Sequence, residues 1–319
     1  MTLQAFAENF LQALVAGVLS GSIYGLMCVG LGLIFGIMRV INFAQGEFLM
    51  LGMYFTLYAV TGLGFAALCG PYAGPFVAAI LAGPVVFVGG YLLHRYLVSR
   101  VTGVRAVGAE GDGHYAQLIL TLGVSLVLQN GSLILFGSTP QSVRTPLSAS
   151  AWEIGLPLGE YSAVFVNKAR AVAFLISIVA TVALYWFIGR SRLGKALRAA
   201  ADNPDAATYM GIDVDGAHRM AFGIGVGVTV VAGGLVATYY PFQPYVGLEF
   251  VIIMYAGVVL GGMGSTLGAF WGGMTIGLVQ QLSSLAFSVQ LQNVAIFVVF
   301  LLIVLLRPQG LYGRSADRT

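Results

Sequence analysis

Residues 9–38 read Asn9-Phe-Leu-Gln-Ala-Leu-Val-Ala-Gly-Val-Leu-Ser-Gly-Ser-Ile-Tyr-Gly-Leu-Met-Cys-Val-Gly-Leu-Gly-Leu-Ile-Phe-Gly-Ile-Met38, with no charge between Glu8 and Arg39. A helix crosses a hydrocarbon core with about 20 apolar residues, so this run spans a bilayer with turns to spare. It is about twice the length of a signal-peptide core and has no Lys or Arg before it, so it reads as a retained span. Residues 113–143, 171–189 and 220–248 are likewise uncharged. Over all 319 residues only 8% are charged, 15 Lys+Arg and 12 Asp+Glu, where a soluble chain carries about 25%. Hydrophobic residues make up 58% and mean hydropathy is +0.90. The fold class is therefore all-α, a polytopic transmembrane helical bundle.

Apolar runs set against charged or Gly/Pro-rich breaks place helices near 10–37, 43–62, 74–97, 115–137, 169–189, 218–240, 249–262, 266–286 and 290–306, giving eight or nine spans in one transmembrane domain over 1–319. The 249–262 stretch is short and ends in Gly261, Gly262 and Gly264. It reads as a half-helix lining a cavity, where broken backbone is tolerated. Lys/Arg bias sets the orientation. With 190–217 in the cytoplasm, alternation puts Arg39, Arg95, Arg100, Arg105, Arg190, Arg192, Lys195, Arg198, Arg219, Arg307, Arg314 and Arg318 inside. Only Arg144, Lys168 and Arg170 fall outside. The N-terminus then lies outside, the C-terminus in the cytoplasm, and 138–168 forms the external loop.

Several classes are excluded. A net charge of +3 without a Lys/Arg block is too weak for nucleic-acid binding. No Gly-x-Ser-x-Gly elbow occurs, and His94, His114 and His218 each stand alone near cytoplasmic helix ends, as interfacial or capping residues, so no metal site or catalytic centre is expected. Gly189-Arg-Ser-Arg-Leu-Gly-Lys195 has phosphate-loop spacing, but Ala196 replaces the Ser/Thr that binds magnesium and no strand precedes it. The chain is not an enzyme on this reading, and energy for uphill transport would come from another subunit. Cys28 and Cys69 read as small core residues.

Glycine numbers 44 and is patterned: Gly17/Gly21/Gly25, Gly32/Gly36, Gly223/Gly227, Gly257/Gly261, Gly264/Gly268/Gly272 and Gly273/Gly277 recur at i, i+4. Such faces let helices approach closely, either for tight packing or as sliding surfaces. Two carboxylates fall at membrane depth, Glu47 in Asn42-Phe-Ala-Gln45-Gly-Glu47 just after the first cytoplasmic turn, and Glu249 just before the seventh helix. Both structural pairing and gating are open to each. Gln129, Asn130, Gln280 and Gln281 mark helix contacts or a polar lumen. An anionic or zwitterionic cargo wants a cation or helix N-termini, yet no Lys or Arg lies deep in a span. The pathway reads as apolar and weakly binding, with specificity residing elsewhere. Asn42, Gln45, Glu47, Glu249 and Gln280 are the pathway or gating candidates.

The loop 190–217 carries two short helices: an alanine-rich one near 194–201, and a second with Asn203 as N-cap, Pro204 at the first helical position and Asp205 on the positive end, stopping at Gly211. It is either a solvated loop or a knob of small residues that docks in a groove of a cytoplasmic motor.

Together Asn42-Phe-Ala-Gln-Gly-Glu47, the run Gly194-Lys-Ala-Leu-Arg-Ala-Ala-Ala-Asp-Asn-Pro-Asp-Ala-Ala-Thr-Tyr-Met-Gly-Ile212 and Gly257-Val-Val-Leu-Gly-Gly-Met-Gly-Ser-Thr-Leu-Gly-Ala269 resemble the LivH-type permeases of branched-chain amino acid ABC importers, from about residue 10 to Gly310. The resemblance implies an inner-membrane subunit of ABC importer permease fold. Its implied partners are a second, LivM-type permease, two cytoplasmic ATPases that bind ATP and Mg, and a periplasmic binding protein. It puts Ala199, Ala200, Asn203, Pro204, Ala206, Ala207 and Gly211 in the motif that couples to the ATPase. Cargoes other than branched-chain amino acids that remain open are urea, short amides and aromatic acids. The competing class is an ion-coupled secondary transporter with Glu47 or Glu249 carrying the proton.

Overall fold

The computed structural model describes residues 3–101, 112–155, 163–288, 291–307 and 310–312. Arg105, Arg314, Arg318, the His114 side chain and positions 156–162 of the anticipated external loop fall outside the described residues. In chain order the helices are α1 Leu3–Met38, α2 Gln45–Thr61, α3 Phe65–Leu68 and α4 Gly70–Leu93. A π-helical turn, His94–Val98, and the short α5 Ser99–Val101 extend α4. Then follow α6 Asp112–Phe136, strands β1 Ala151–Gly155 and β2 Ala163–Asn167, α7 Lys168–Arg190, α8 Arg192–Asp202, α9 Pro204–Tyr209, α10 Val214–Ala237, α11 Val246–Gly261, α12 Thr266–Ser283 and α13 Gln292–Leu306.

Each apolar run read from the sequence is a helix. Among the described residues five helices, α1, α4 with its extension, α6, α7 and α10, are long and apolar enough to cross a membrane. The others are shorter: α2 has 17 residues, α11 has 16, α12 has 18 and α13 has 15. At 1.5 Å per residue the shortest reach about 22 Å against a hydrocarbon core of about 30 Å. The sequence missed α3 and the antiparallel hairpin of β1 and β2, which pairs Trp152 with Val166 and Ile154 with Val164. Val164 and Val166 pack on Leu11, Val15 and Leu19 of α1, and the Gln12 side chain exchanges hydrogen bonds of 2.9 Å with the backbone of Phe165. The hairpin therefore braces one end of α1. Gln141 pairs with Phe242 at the same end of the bundle, tying the α6–β1 connection to the α10–α11 connection.

The core centres on α1 and α10, and the glycine faces resolve as packing surfaces. Residues Gly17, Gly21 and Gly25 lie against Leu278, Met274 and Phe270 of α12, and Gly277 and Gly273 return the contact against Gly21 and Gly25. On α10, Gly225 meets Gly30, and Gly223 and Gly227 meet Phe87 and Gly83 of α4. A methyl at Gly277 would overlap the Gly21 backbone. Gly277→Val is accordingly expected to cost about 3 kcal/mol by overpacking, readable as a lower unfolding temperature of the solubilised chain. Arg39 ends α1 in a left-handed conformation, φ 53°, with its N–H on Phe35 O at 2.8 Å. At the other tight turn Gly262, φ 101°, lets α11 fold back on α12 so closely that Gly261 and Gly268 touch backbone to backbone.

Three expectations need correction. Cys28 is buried, its thiol 3.6 Å from Met254 O, but Cys69 is exposed, because it caps α4 at the turn from α3 rather than lying within a span. His94 caps α4, as read, but it does not stand alone: it is 1% exposed, its ring 5.6 Å from that of Phe222, because the chain winds on through the π turn and carries it under α10. Glu249 sits inside the first turn of α11, not before it, since the helix opens three residues earlier than expected, at Val246.

Candidate functional site

Two regions gather the candidate residues. The first is a break at membrane depth. From Met38 the chain turns at Arg39 and returns as non-helical backbone through Val40 to Ala44 before α2 begins. The depth of that start follows from side-chain contacts. Gln45 Nε2 donates to Thr229 Oγ1 at 2.5 Å and to Gly225 O at 3.2 Å, and Gly30 of α1 packs on these same two residues. Gln45 thus lies level with Gly30, eight residues or about 12 Å back along α1 from its end. The α2 helix is therefore a half-helix, which the sequence reading, starting it at residue 43, had treated as a full span.

The extended stretch is held by its own polar side chains, as broken backbone in an apolar setting requires. Asn42 Oδ1 accepts from Ala44 N–H at 3.2 Å and its amide donates to Gln45 Oε1 at 2.9 Å. Thr121 on α6 donates to Ile41 O at 3.3 Å. Ser125, one turn further along α6, donates to Glu47 Oε1 at 3.4 Å. Asn42, Gln45 and Glu47 are therefore all buried near the start of α2, Asn42 and Gln45 bonded to each other and on to Thr229, and Glu47 bonded separately to Ser125; Thr121, Ser125 and Thr229 are the partners the sequence reading missed. Thr121 and Ser125 carried a signal, since they stand at i, i+4 on a single apolar helix.

The structure separates the other two candidates. Glu249 is exposed at the start of α11, hydrogen-bonded to the Tyr240 hydroxyl. Gln280 lies near the far end of α12, one turn beyond the Gly277–Gly21 contact, and its backbone carbonyl accepts from Ser283 at 2.7 Å.

The second region is the pair α8 and α9. Ser191 caps α8 by accepting from Gly194 N–H at 2.9 Å. Asn203 ends α8 and caps α9, its Oδ1 accepting from Ala206 N–H at 3.0 Å, with Pro204 in the first turn and Asp205 on the positive end. Gly211 closes the unit at φ 80°. Local chemistry alone thus forms the expected helix pair, with ends within two residues of those read from the sequence. Its residues divide by burial. Ala200 and Ala207 face the bundle and are buried, while Asn203, Pro204, Ala206 and Gly211 are exposed and Ala199 is half-buried. Sequence reasoning described a knob with little side-chain bulk, whereas the exposed tip carries Tyr209, 88% exposed, and Met210, 81% exposed. Removing the cap with Asn203→Ala should cost about 1 kcal/mol and appear as faster amide exchange confined to 203–210.

A family profile describing the permease component of branched-chain amino acid transport systems matches residues 13–306. The chain belongs to this family. Among its relatives, the high-affinity branched-chain amino acid transport system permease LivH of Escherichia coli K12 is 32% identical over 306 residues, 96% of each chain. BraD of Pseudomonas aeruginosa, named as a permease of the same kind of system, is 31% identical over 310 residues, again 96% of each. A more distant relative is the autoinducer 2 import permease LsrC of Photorhabdus laumondii, 27% identical over 49% of this chain and 53% of its own. No solved structure matches. Membership makes this chain the permease component of a transport system, and both candidate regions lie within the matched span.

Proposed function

We propose that this chain is one of two permease subunits of an ATP-driven importer that carries branched-chain amino acids inward across a bacterial inner membrane. The N-terminus and the hairpin end face out; α8, α9 and the C-terminus face the cytoplasm. The carrying observation is the pre-formed, capped pair α8–α9, bearing exposed Tyr209 and Met210, placed directly between the long helices α7 and α10. Two large apolar side chains on a short rigid helix are what a groove on a soluble partner can grip. Movement of that helix passes straight into α7 and α10. The partners are a LivM-type permease beside this chain in the bilayer, two cytoplasmic ATPases that bind ATP and Mg, and a periplasmic binding protein on the outer face around exposed Arg144 and Glu153. This subunit performs no bond chemistry; Ala199, Ala200, Asn203, Pro204, Ala206, Ala207 and Gly211 shape or present the coupling element.

The test is uptake of labelled L-leucine into proteoliposomes holding the assembled complex and its binding protein. Uptake should require ATP and persist with a protonophore. Collapse with the protonophore and indifference to ATP would assign the chain to ion-coupled transport. Competition by urea, acetamide or phenylalanine, rather than by isoleucine and valine, would move the cargo to one of those classes.

A further inference from the structure

The half-helix α2 begins against the first turn of α11. Glu47 is 1% exposed. Its Oε1 receives the Ser125 hydroxyl, but among the described residues its Oε2 has no hydrogen-bond partner. The carboxylate lies against Gly247, so close that a methyl there would stand 2.7 Å from Oε2. Gly46 abuts the Gly247 carbonyl, leaving no room for a side chain between the two helices. Neither helix supplies its own cap: Ala44 before α2 and Tyr245 before α11 make no side-chain capping bond. The positive end of the α11 dipole is thus faced by two acids, its own exposed Glu249 in the first turn and the buried Glu47 of α2 against Gly247.

We propose that this junction is a binding site for a zwitterionic α-amino acid, opened when α2 and α11 part, with Glu47 receiving the ammonium group and the uncapped first turn of α11 receiving the carboxylate. The inference rests on the importer reading above. In the closed junction the Glu47 carboxylate stands where the carboxylate of a cargo would bind. An amino acid inserted there restores the contact at both ends: its carboxylate takes the place of Glu47 on α11, and its ammonium neutralises Glu47 in turn. Neither α2 nor α11 carries a Lys or Arg, so the helix N-terminus is the means these two helices have of holding a carboxylate. Selectivity between side chains is left to other parts of the system; this site reads only the groups that all amino acids share.

The experiment compares wild type with Glu47→Gln and Glu47→Asp in the complete importer in proteoliposomes. It follows assembly, ATP hydrolysis stimulated by the leucine-loaded binding protein, and uptake of labelled L-leucine. Glu47→Gln keeps size and polarity but loses the charge that holds the ammonium. It should still assemble, and uptake per ATP hydrolysed should fall about tenfold or more, with Glu47→Asp recovering part of the loss. Wild-type uptake in Glu47→Gln would overturn the proposal, as would a parallel loss of assembly, hydrolysis and uptake, which is the mark of a structural residue. If the wild-type complex takes up no leucine with ATP, the importer reading itself fails, a result distinct from either.

Discussion

Gly211→Pro should reduce ATP-driven uptake about a hundredfold while leaving insertion and assembly of the complex intact. Gly211 closes the coupling element at φ 80°, and its N–H donates to Thr208 O at 2.9 Å. Proline fixes φ near −65° and has no N–H, so it can neither adopt the angle nor make the bond, at a cost of about 3 kcal/mol or more. With 1.4 kcal/mol to each factor of ten, the equilibrium between the correctly closed element and its alternatives shifts about a hundredfold against closure. Neighbouring substitutions separate docking from folding. Glu in place of exposed Ala206 puts a charge on the outer face and should uncouple hydrolysis from uptake with the helix intact. At Ala207, 4% exposed, Glu must bury a charge against the bundle and should unfold the element itself. Replacing Tyr209 and Met210 together by Ala should weaken the hold on the ATPase without disturbing either helix cap. Measurements of uptake and hydrolysis on the same proteoliposomes distinguish these outcomes, and normal uptake in Gly211→Pro would remove the coupling role from α8–α9.

Gln45→Leu is the second large effect, and it acts on stability before transport. The Gln45 side chain is fully buried and makes three hydrogen bonds, accepting from Asn42 and donating to Thr229 and Gly225. Leucine fills similar space but strands the Asn42 amide in an apolar setting, and a stranded buried donor costs about 1–3 kcal/mol. The extended Val40–Ala44 stretch loses its tie to α10 at the same time. The thermal midpoint of the solubilised subunit should fall by several degrees, since 1 kcal/mol shifts a domain of 150–250 residues by about 2–4 °C. Thr229→Val should cost less, because it removes one hydroxyl and leaves Gln45 its bonds to Asn42 and Gly225. The double substitution should cost less than the sum of the two, since the residues share a bond. Full additivity would show that the network does not act as a unit.

What the sequence disclosed, and what it hid, follows from the range of the forces involved. The α8–α9 unit was legible almost to the residue because Asn203, Pro204, Asp205 and Gly211 act on their own backbone within a few positions. The long spans were legible because hydrophobicity sums over a run, and the i, i+4 glycines of α1 and α12 correctly announced close helix contact. The depth at which α2 starts was not legible. It depends on Gln45 reaching residues about 180 positions away on α10, and no local signal separates a turn at the membrane surface from one that re-enters. The pairing of Glu47 with Gly247 was hidden for the same reason, although both residues stood in segments already marked. Burial of His94 was misread because a π turn carries the chain on from this helix end. Polarity alone marks Gln280 and Glu249 in the sequence, and polarity does not say which helices will meet.

The central claim is that this chain is driven by ATPases gripping α8–α9. Its most direct test is to tag the chain, express it with the products of its neighbouring genes, extract it gently and weigh the complex by native mass spectrometry. The account predicts one copy of this chain, one second permease and two ATPase subunits, with the ATPases lost when Tyr209 and Met210 are both Ala. Recovery of the chain alone, or as a homodimer free of any ATPase, would contradict it.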